Sequence, residues 1–188
     1  MPGADSERPM RADAKRNYER IVATAKDLFT THGADVPLDD IAKKAGVGAG
    51  TLYRHFPTRE KLFEAVYREE ITVLADRAFV LHEELPPWEA LEAWLQAQVT
   101  WVVERHKLAT ILKESIDSGS ETFQYCQKRL REATGVLVEA AQEAGLVRPD
   151  VVGVDVLRLG HCAGMAVRNC SPEDGKRVFT VILDGLRA

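Results

Sequence analysis

The sequence predicts an all-α protein of about nine helices. Two observations carry that prediction: apolar residues recur at the i, i+3, i+4, i+7 spacing of a helical face through most of the chain, and no segment alternates apolar and polar residues as a half-buried strand would. No internal repeat or low-complexity tract interrupts the pattern.

The chain opens with polar, proline-bearing residues 1–10, expected to form a flexible arm made weakly cationic by Arg8 and the adjoining Arg11. From residue 11 a first helix is predicted by Ile21, Val22, Ala25, Leu28 and Phe29, ending at His32-Gly33. Leu38, Ile41, Ala42 and Ala45 mark a short second helix. Pro37 precedes it, which the first turn of a helix tolerates, and Asp39 and Asp40 favour that end electrostatically. Gly46 stops it, since glycine just past the last periodic residue takes the left-handed conformation that closes a helix. A third helix follows from about Ala49 to His55. Two short helices joined through a glycine turn are the sequence form of a helix-turn-helix, with small Ala42 where the helices cross and Val47 and Leu52 filling the corner.

Thr58 is the predicted N-cap of a long fourth helix running through Leu62, Phe63, Val66, Ile71, Leu74 and Phe79 to about His82. Pro86-Pro87 breaks the chain before an amphipathic segment spaced by Trp88, Leu91, Leu95, Val99 and Val102. A short helix is expected over residues 108–117, bounded by Ser118-Gly119-Ser120. Another is expected from Glu121 to Ala144, and two last ones over residues 150–169 and 173–187, divided by Cys170-Ser171-Pro172.

Composition fits one compact body with a small head. The 188 residues are 45% hydrophobic and 29% charged, enough to bury a sizeable core. The net charge of -4 argues against a nucleic-acid partner until it is located along the chain. Residues 11–59 hold nine Lys and Arg against six Asp and Glu, whereas residues 60–188 hold 15 against 21. The basic excess therefore lies with the helix-turn-helix. No run of about 18 apolar residues is present and the start lacks the apolar stretch of a secretory signal, so the expected location is cytoplasmic, with no membrane partner. Three cysteines, Cys126, Cys162 and Cys170, make no Cys-x-x-Cys pair, and reduced thiols are expected.

The outer face of the third helix carries Thr51, Tyr53, Arg54 and His55, all capable of donating hydrogen bonds to phosphates or base edges. Gly46-x-Gly48-x-Gly50 superficially suggests a nucleotide loop, but a helix rather than a strand precedes it and no Lys-Ser/Thr follows. The glycines are instead expected to shape the turn and allow close approach to DNA.

The run from Ile21 through Phe63, with Ala25, Leu28, Phe29, His32-Gly33, Ile41-Ala42, Ala45-Gly46-Val47, Gly50-Thr51-Leu52-Tyr53, His55-Phe56 and Leu62-Phe63, resembles the DNA-binding domain of TetR-type, tetracycline-repressor-like transcriptional regulators. The resemblance covers roughly the first third of the chain; the remainder is similar only in length and helical character. It implies phosphate contacts from Thr51, Tyr53 and His55. It also implies a phosphate contact from Arg59, which stands where the family usually has lysine. Gly48 and Ala49 depart from the family's hydroxyl and basic residues at the entrance to the reading helix. Base reading then falls to Arg54, Thr51 and an Ala49 contact with a thymine methyl, with Gly48 and Gly50 flanking.

The expected organisation is an arm at residues 1–10, a helix-turn-helix DNA-binding domain at 11–57 and a ligand-binding and dimerisation domain at 58–188. Candidate pocket residues are Trp94, Trp101, His106, Phe123, Tyr125, Cys126, His161 and Met165, aromatic or polarisable groups on helical faces. The resemblance implies a four-helix dimer interface from the last two helices of each subunit, with Gly160, Gly164, Val178, Phe179, Ile182, Leu183 and Leu186 as its candidates. No metal or cofactor is expected: adjacent His161 and Cys162 point about 100° apart on a helix and nothing completes a ligand set. The expected function is a homodimeric DNA-binding regulator, a repressor released from double-stranded, pseudo-palindromic operator DNA by a small-molecule effector. The alternative is a small-molecule-binding protein or thiol redox sensor whose helix-turn-helix is structural. No nucleophile, base and orienting acid stand at motif spacing, so an enzyme is not expected.

Overall fold

In the computed structural model of the protein, residues 7–104, 108 and 119–188 are described, with side chains from Ala12 onward. These residues form eight helices: α1 (Glu7–His32), α2 (Leu38–Ala45), α3 (Ala49–His55), α4 (Arg59–Glu84), α5 (Pro87–Glu104), α6 (Glu121–Glu143), α7 (Gly153–Val167) and α8 (Pro172–Leu186). Among the described residues there is no strand beyond a single bridge pairing Val147 with Arg187. The expected helix over residues 108–117, apart from Leu108, and the candidate pocket residue His106 lie outside the described residues. So do residues 1–6. The described span of α1 opens at Glu7, inside the expected arm, and Pro9 in its first turn forfeits no helical bond through its missing N–H.

Two compact units divide the described chain, the first reaching Tyr67 and the second beginning at Arg68. In the first, α1, α2 and α3 pack around Ile21, Ala25, Phe29, Ile41, Ala42, Leu52 and Phe56, all essentially without solvent exposure. The opening turns of α4 complete that core, with Leu62, Phe63 and Val66 buried and the rings of Phe29 and Phe63 centred 4.6 Å apart. That is why the first unit extends past the expected boundary at residue 57. The Phe63 ring thus covers Phe29 from α4.

The second unit is a helical body in which α7 packs against both α5 and α6. Serine caps start two of its helices: Ser120 Oγ accepts from Phe123 N at 3.2 Å for α6, and Ser171 Oγ accepts from Asp174 N at 3.1 Å for α8. Trp94, Leu91, Leu95, Cys126, Leu137 and Val156 make its dry centre. The α8 end is pinned by backbone bonds from Arg148 N to Leu186 O (3.1 Å) and Ala188 N to Leu146 O (3.2 Å), and the Arg187 guanidinium lies 4.0 Å above the Trp88 ring.

Close approach of α7 to α5 depends on glycine. A Cβ on Gly164 would stand 2.5 Å from Val102 Cβ and 3.2 Å from the Val99 carbonyl oxygen, and one on Gly160 would stand 2.8 Å from Leu95 Cδ1 and collide with the Gln98 amide. Gln98 Nε2 donates to Leu157 O at 2.7 Å across the same contact. Gly160 and Gly164, both expected at a dimer interface, therefore serve packing of α7 against α5 within one chain. Leu186, also expected at that interface, is 2% exposed, drawn inward where residues 186–188 pair with residues 146–148.

Candidate nucleic-acid interface

The head presents its third helix on a turn fixed from two sides. Gly46 adopts φ +65°, and Val47 N donates back to Ala42 O at 3.0 Å, closing α2 as the sequence predicts. Gly48 caps α3 in an extended conformation, its carbonyl accepting from Thr51 N (2.9 Å) and Leu52 N (3.2 Å). Leu52 alone of the α3 residues is buried; it anchors the helix while Ala49, Gly50, Tyr53 and Arg54 face solvent and Thr51 and His55 are half-exposed. A Cβ on Gly48 or Gly50 would meet nothing within 4 Å, so neither glycine serves packing within this chain and the entrance of α3 is bare on its outer side.

The exposed chemistry of α3 is positive or neutral. Arg54 and His55 occupy its last turn and no acidic residue occupies its first. Tyr53 is 45% exposed, whereas Phe56 is 2% exposed and belongs to the core. His55 is held by rings: Tyr18 of α1 stands edge-on to it with centroids 6.1 Å apart and also lies 5.1 Å from Phe56. Tyr18 escaped the sequence reading although it stands three residues ahead of Ile21 on the stripe that continues through Ala25, which is the signal that marks it.

Arg59 differs from its expected role. Its Nη1 donates to Ala34 O at 2.5 Å and Val36 O at 2.7 Å, clamping the α1–α2 connection to the start of α4. The neighbouring Glu60 carboxyl is held below its ordinary range by backbone amide bonding at that helix start, then by the Thr58 hydroxyl and the Arg59 charge. The Arg59 guanidinium is thus engaged as a loop clamp beside an exposed carboxylate, at the place where the resemblance implies a phosphate contact.

A second arginine, not singled out by sequence, holds the turn itself. Arg20 Nη2 donates to Ala45 O, and to Gly46 O at 3.0 Å. These are terminal α2 carbonyls that lack intrahelical partners, and asking what satisfies them is the signal that leads to a cation on a neighbouring helix.

The candidate pocket residues of the body separate into three groups. Trp94 and Cys126 are wholly buried; Trp94 Nε1 donates to Leu74 O at 3.2 Å, and burial pushes the Cys126 thiol up to about 11 against a smaller opposing effect of Arg68. Neither offers surface to a ligand, and Cys126 remains a protonated thiol at neutral pH. His161 and Met165 form the second group. Gly160, Ala163 and Gly164 turn toward the core, which leaves His161 and Met165 on the outer face of α7, Met165 being 43% exposed. Trp101, Phe123 and Tyr125 remain accessible. Trp101 Nε1 donates to Glu70 Oε2 at 3.3 Å beneath a nearly buried carboxylate, and Tyr125, 40% exposed, carries the Arg68 guanidinium 4.2 Å from its ring centre.

Among the described residues no group of three His, Cys, Asp or Glu side chains is placed to hold a metal ion, and no helix is long and apolar enough to cross a membrane.

A helix-turn-helix with an exposed, acid-free third helix on an all-helical body defines a DNA-binding regulator. Comparison with known proteins agrees. Residues 21–66 match the family of bacterial regulatory proteins of tetR type, and residues 86–188, more than half of the chain, match the C-terminal domain of SbtR-like transcriptional regulators. A TetR transcription regulatory protein from Mycobacterium vanbaalenii is 35% identical, with a TM-score of 0.75 over 96% of this chain and all of that one. The TetR regulator SCO0520 from Streptomyces coelicolor is also 35% identical, with a TM-score of 0.71 over 90% of this chain and 98% of its own. An HTH-type transcriptional regulator of Staphylococcus aureus is 32% identical over 63% of this chain; the match spans 56% of that relative's length. The chain belongs to the TetR family. It is a transcriptional regulator with a helix-turn-helix DNA-binding domain, not an enzyme.

Proposed function

We propose that the protein is a homodimeric repressor that leaves a pseudo-palindromic operator when a small-molecule effector binds its body. The observation that carries the dimer is an apolar outer surface on the last two helices: Leu159 is 39%, Met165 43% and Val181 70% exposed, with Val178, Phe179 and Ile182 half-exposed beside them. Leu159, Cys162 and Ala166 follow i, i+3, i+7 on α7, and Val178, Val181 and Gly185 follow the same spacing on α8. A two-fold axis through this face buries both stripes in a four-helix contact.

The family resemblance then supplies the geometry of DNA binding. Two reading helices stand about 34 to 36 Å apart or a multiple of it, matching half-sites separated by whole turns of the duplex. Thr51, Tyr53 and His55 bind phosphates, while Arg54 and Thr51, with Ala49 against a thymine methyl, read base edges past the bare Gly48 and Gly50. The proposed domain order is a DNA-binding head over residues 11–57, extended into α4 by Leu62, Phe63 and Val66, followed by an effector and dimerisation body. Trp101, Phe123 and Tyr125 are the expected pocket residues still accessible to an effector. Binding there favours a body conformation in which α4, continuous from the first unit into the second, sets a head spacing that no longer fits the operator.

Arg54→Ala tests the reading role. On a selected operator fragment the substitution is expected to lower affinity by about 1 to 3 kcal/mol while leaving binding to random duplex within about twofold. Equal loss on both duplexes in fluorescence anisotropy shows instead that Arg54 touches only phosphate.

A further inference from the structure

We infer that Arg20 is a positioning residue for DNA recognition: from α1 it fixes the α2–α3 turn and thereby the angle at which α3 meets the duplex. This rests on α3 being the reading helix.

The geometry is specific. Nη2 of Arg20 bonds both Ala45 O and Gly46 O, and these two carbonyls bracket the point where the chain leaves α2. The same nitrogen lies 2.6 Å from where a Cβ on Gly46 would stand. Gly46 is required by its left-handed φ of +65°, and a Cβ there would also displace the guanidinium from its place against the turn. Two residues later Gly48 caps α3, whose only buried anchor is Leu52. A seven-residue helix with one buried side chain takes its direction from its entrance. A shift of the Gly46 turn therefore carries Thr51, Tyr53 and Arg54 with it.

A single side chain with two parallel duties explains why arginine suits this place. The long side chain brings one terminal guanidinium nitrogen to the carbonyls of two consecutive residues, and its charge complements the carboxyl end of α2. Lysine keeps the charge on a shorter stem that does not reach as far as Nη2.

The test compares wild type, Arg20→Ala and Arg20→Lys by hydrogen exchange of the free protein and by anisotropy, over a range of salt, on a fragment selected from genomic DNA with the wild type. A positioning role predicts faster exchange at Val47, Thr51 and Leu52 amides in Arg20→Ala. It predicts specific affinity lower by about five- to thirtyfold, the scale of two lost hydrogen bonds, with the slope against log salt unchanged. Arg20→Lys is expected to recover less than half of that loss, and it decides the matter if the alanine variant does not fold. Unchanged exchange with a slope shallower by about 0.9 and full recovery by lysine assigns Arg20 to a phosphate contact and overturns the inference. Unchanged affinity in both variants also overturns it. A wild type that selects no fragment fails the proposed function instead, and the exchange result still decides whether Arg20 holds the turn.

Discussion

Gly164→Ala is expected to destabilise the body by about 2 kcal/mol, the cost of forcing a methyl group into a filled interface. The added Cβ would stand 2.5 Å from Val102 Cβ, a branch point that cannot swing aside, and 3.2 Å from the Val99 carbonyl of the α5 backbone. Helix propensity pulls the other way by about 0.5 to 1 kcal/mol, so the clash decides the sign. Gly135→Ala is the matched control: it lies in α6, and its Cβ would meet only Glu139 Oε1, at an ordinary 3.8 Å. That variant is expected to be neutral or slightly more stable. All three tryptophans lie on α5, so denaturant unfolding followed by tryptophan fluorescence reports directly on the helix that α7 presses against. If Gly164→Ala is as stable as Gly135→Ala, α7 does not approach α5 in this way.

Val181→Glu is expected to weaken self-association by about a hundredfold and to leave the monomer folded. Val181 is 70% exposed in the single chain, so the substitution costs that chain almost nothing. In a symmetric contact, however, it places a carboxylate from each subunit against the apolar stripe of the other, and burying an unpaired charge there costs about 3 kcal/mol or more. Operator affinity falls with it, because each head then binds alone and the gain from linking two half-sites is lost. Sedimentation velocity across a concentration series measures the first effect and anisotropy the second. A variant that remains dimeric at the wild-type concentration places the interface elsewhere.

Most helix boundaries were legible because their causes are local. Gly46 ends α2 through its own φ, Ser171 caps α8 three residues from its partner amide, and the Leu38, Ile41, Ala42, Ala45 spacing defines a face without reference to any neighbour. What faces what was not legible in the same way. Periodicity shows that α7 has one side of small residues, Gly160 and Gly164, and another bearing Leu159 and Met165, but not which side meets its own chain. The structure gives the small side to α5 and leaves the large apolar side outward. The clamp made by Arg59 was not legible for a related reason. Its partners are the carbonyls of Ala34 and Val36, and a carbonyl has no sequence signature. The same holds for Arg20, whose acceptors lie 25 and 26 residues further along the chain. In α3 and its cap the inside and outside were legible: Leu52 and Phe56 are buried and Tyr53 and Arg54 exposed, because amphipathicity over so short a segment leaves little choice.

Selection of genomic fragments by the purified protein, followed by footprinting of the tightest fragment across a salt series, tests most directly whether this chain is a two-headed reader of DNA. The predicted result is a protected site with two-fold related halves one or more helical turns apart, bound with an affinity that falls steeply with salt and is selective over random duplex at every salt concentration. Binding that shows no preference for any fragment, or a single protected half-site at concentrations where the protein is dimeric, would contradict it.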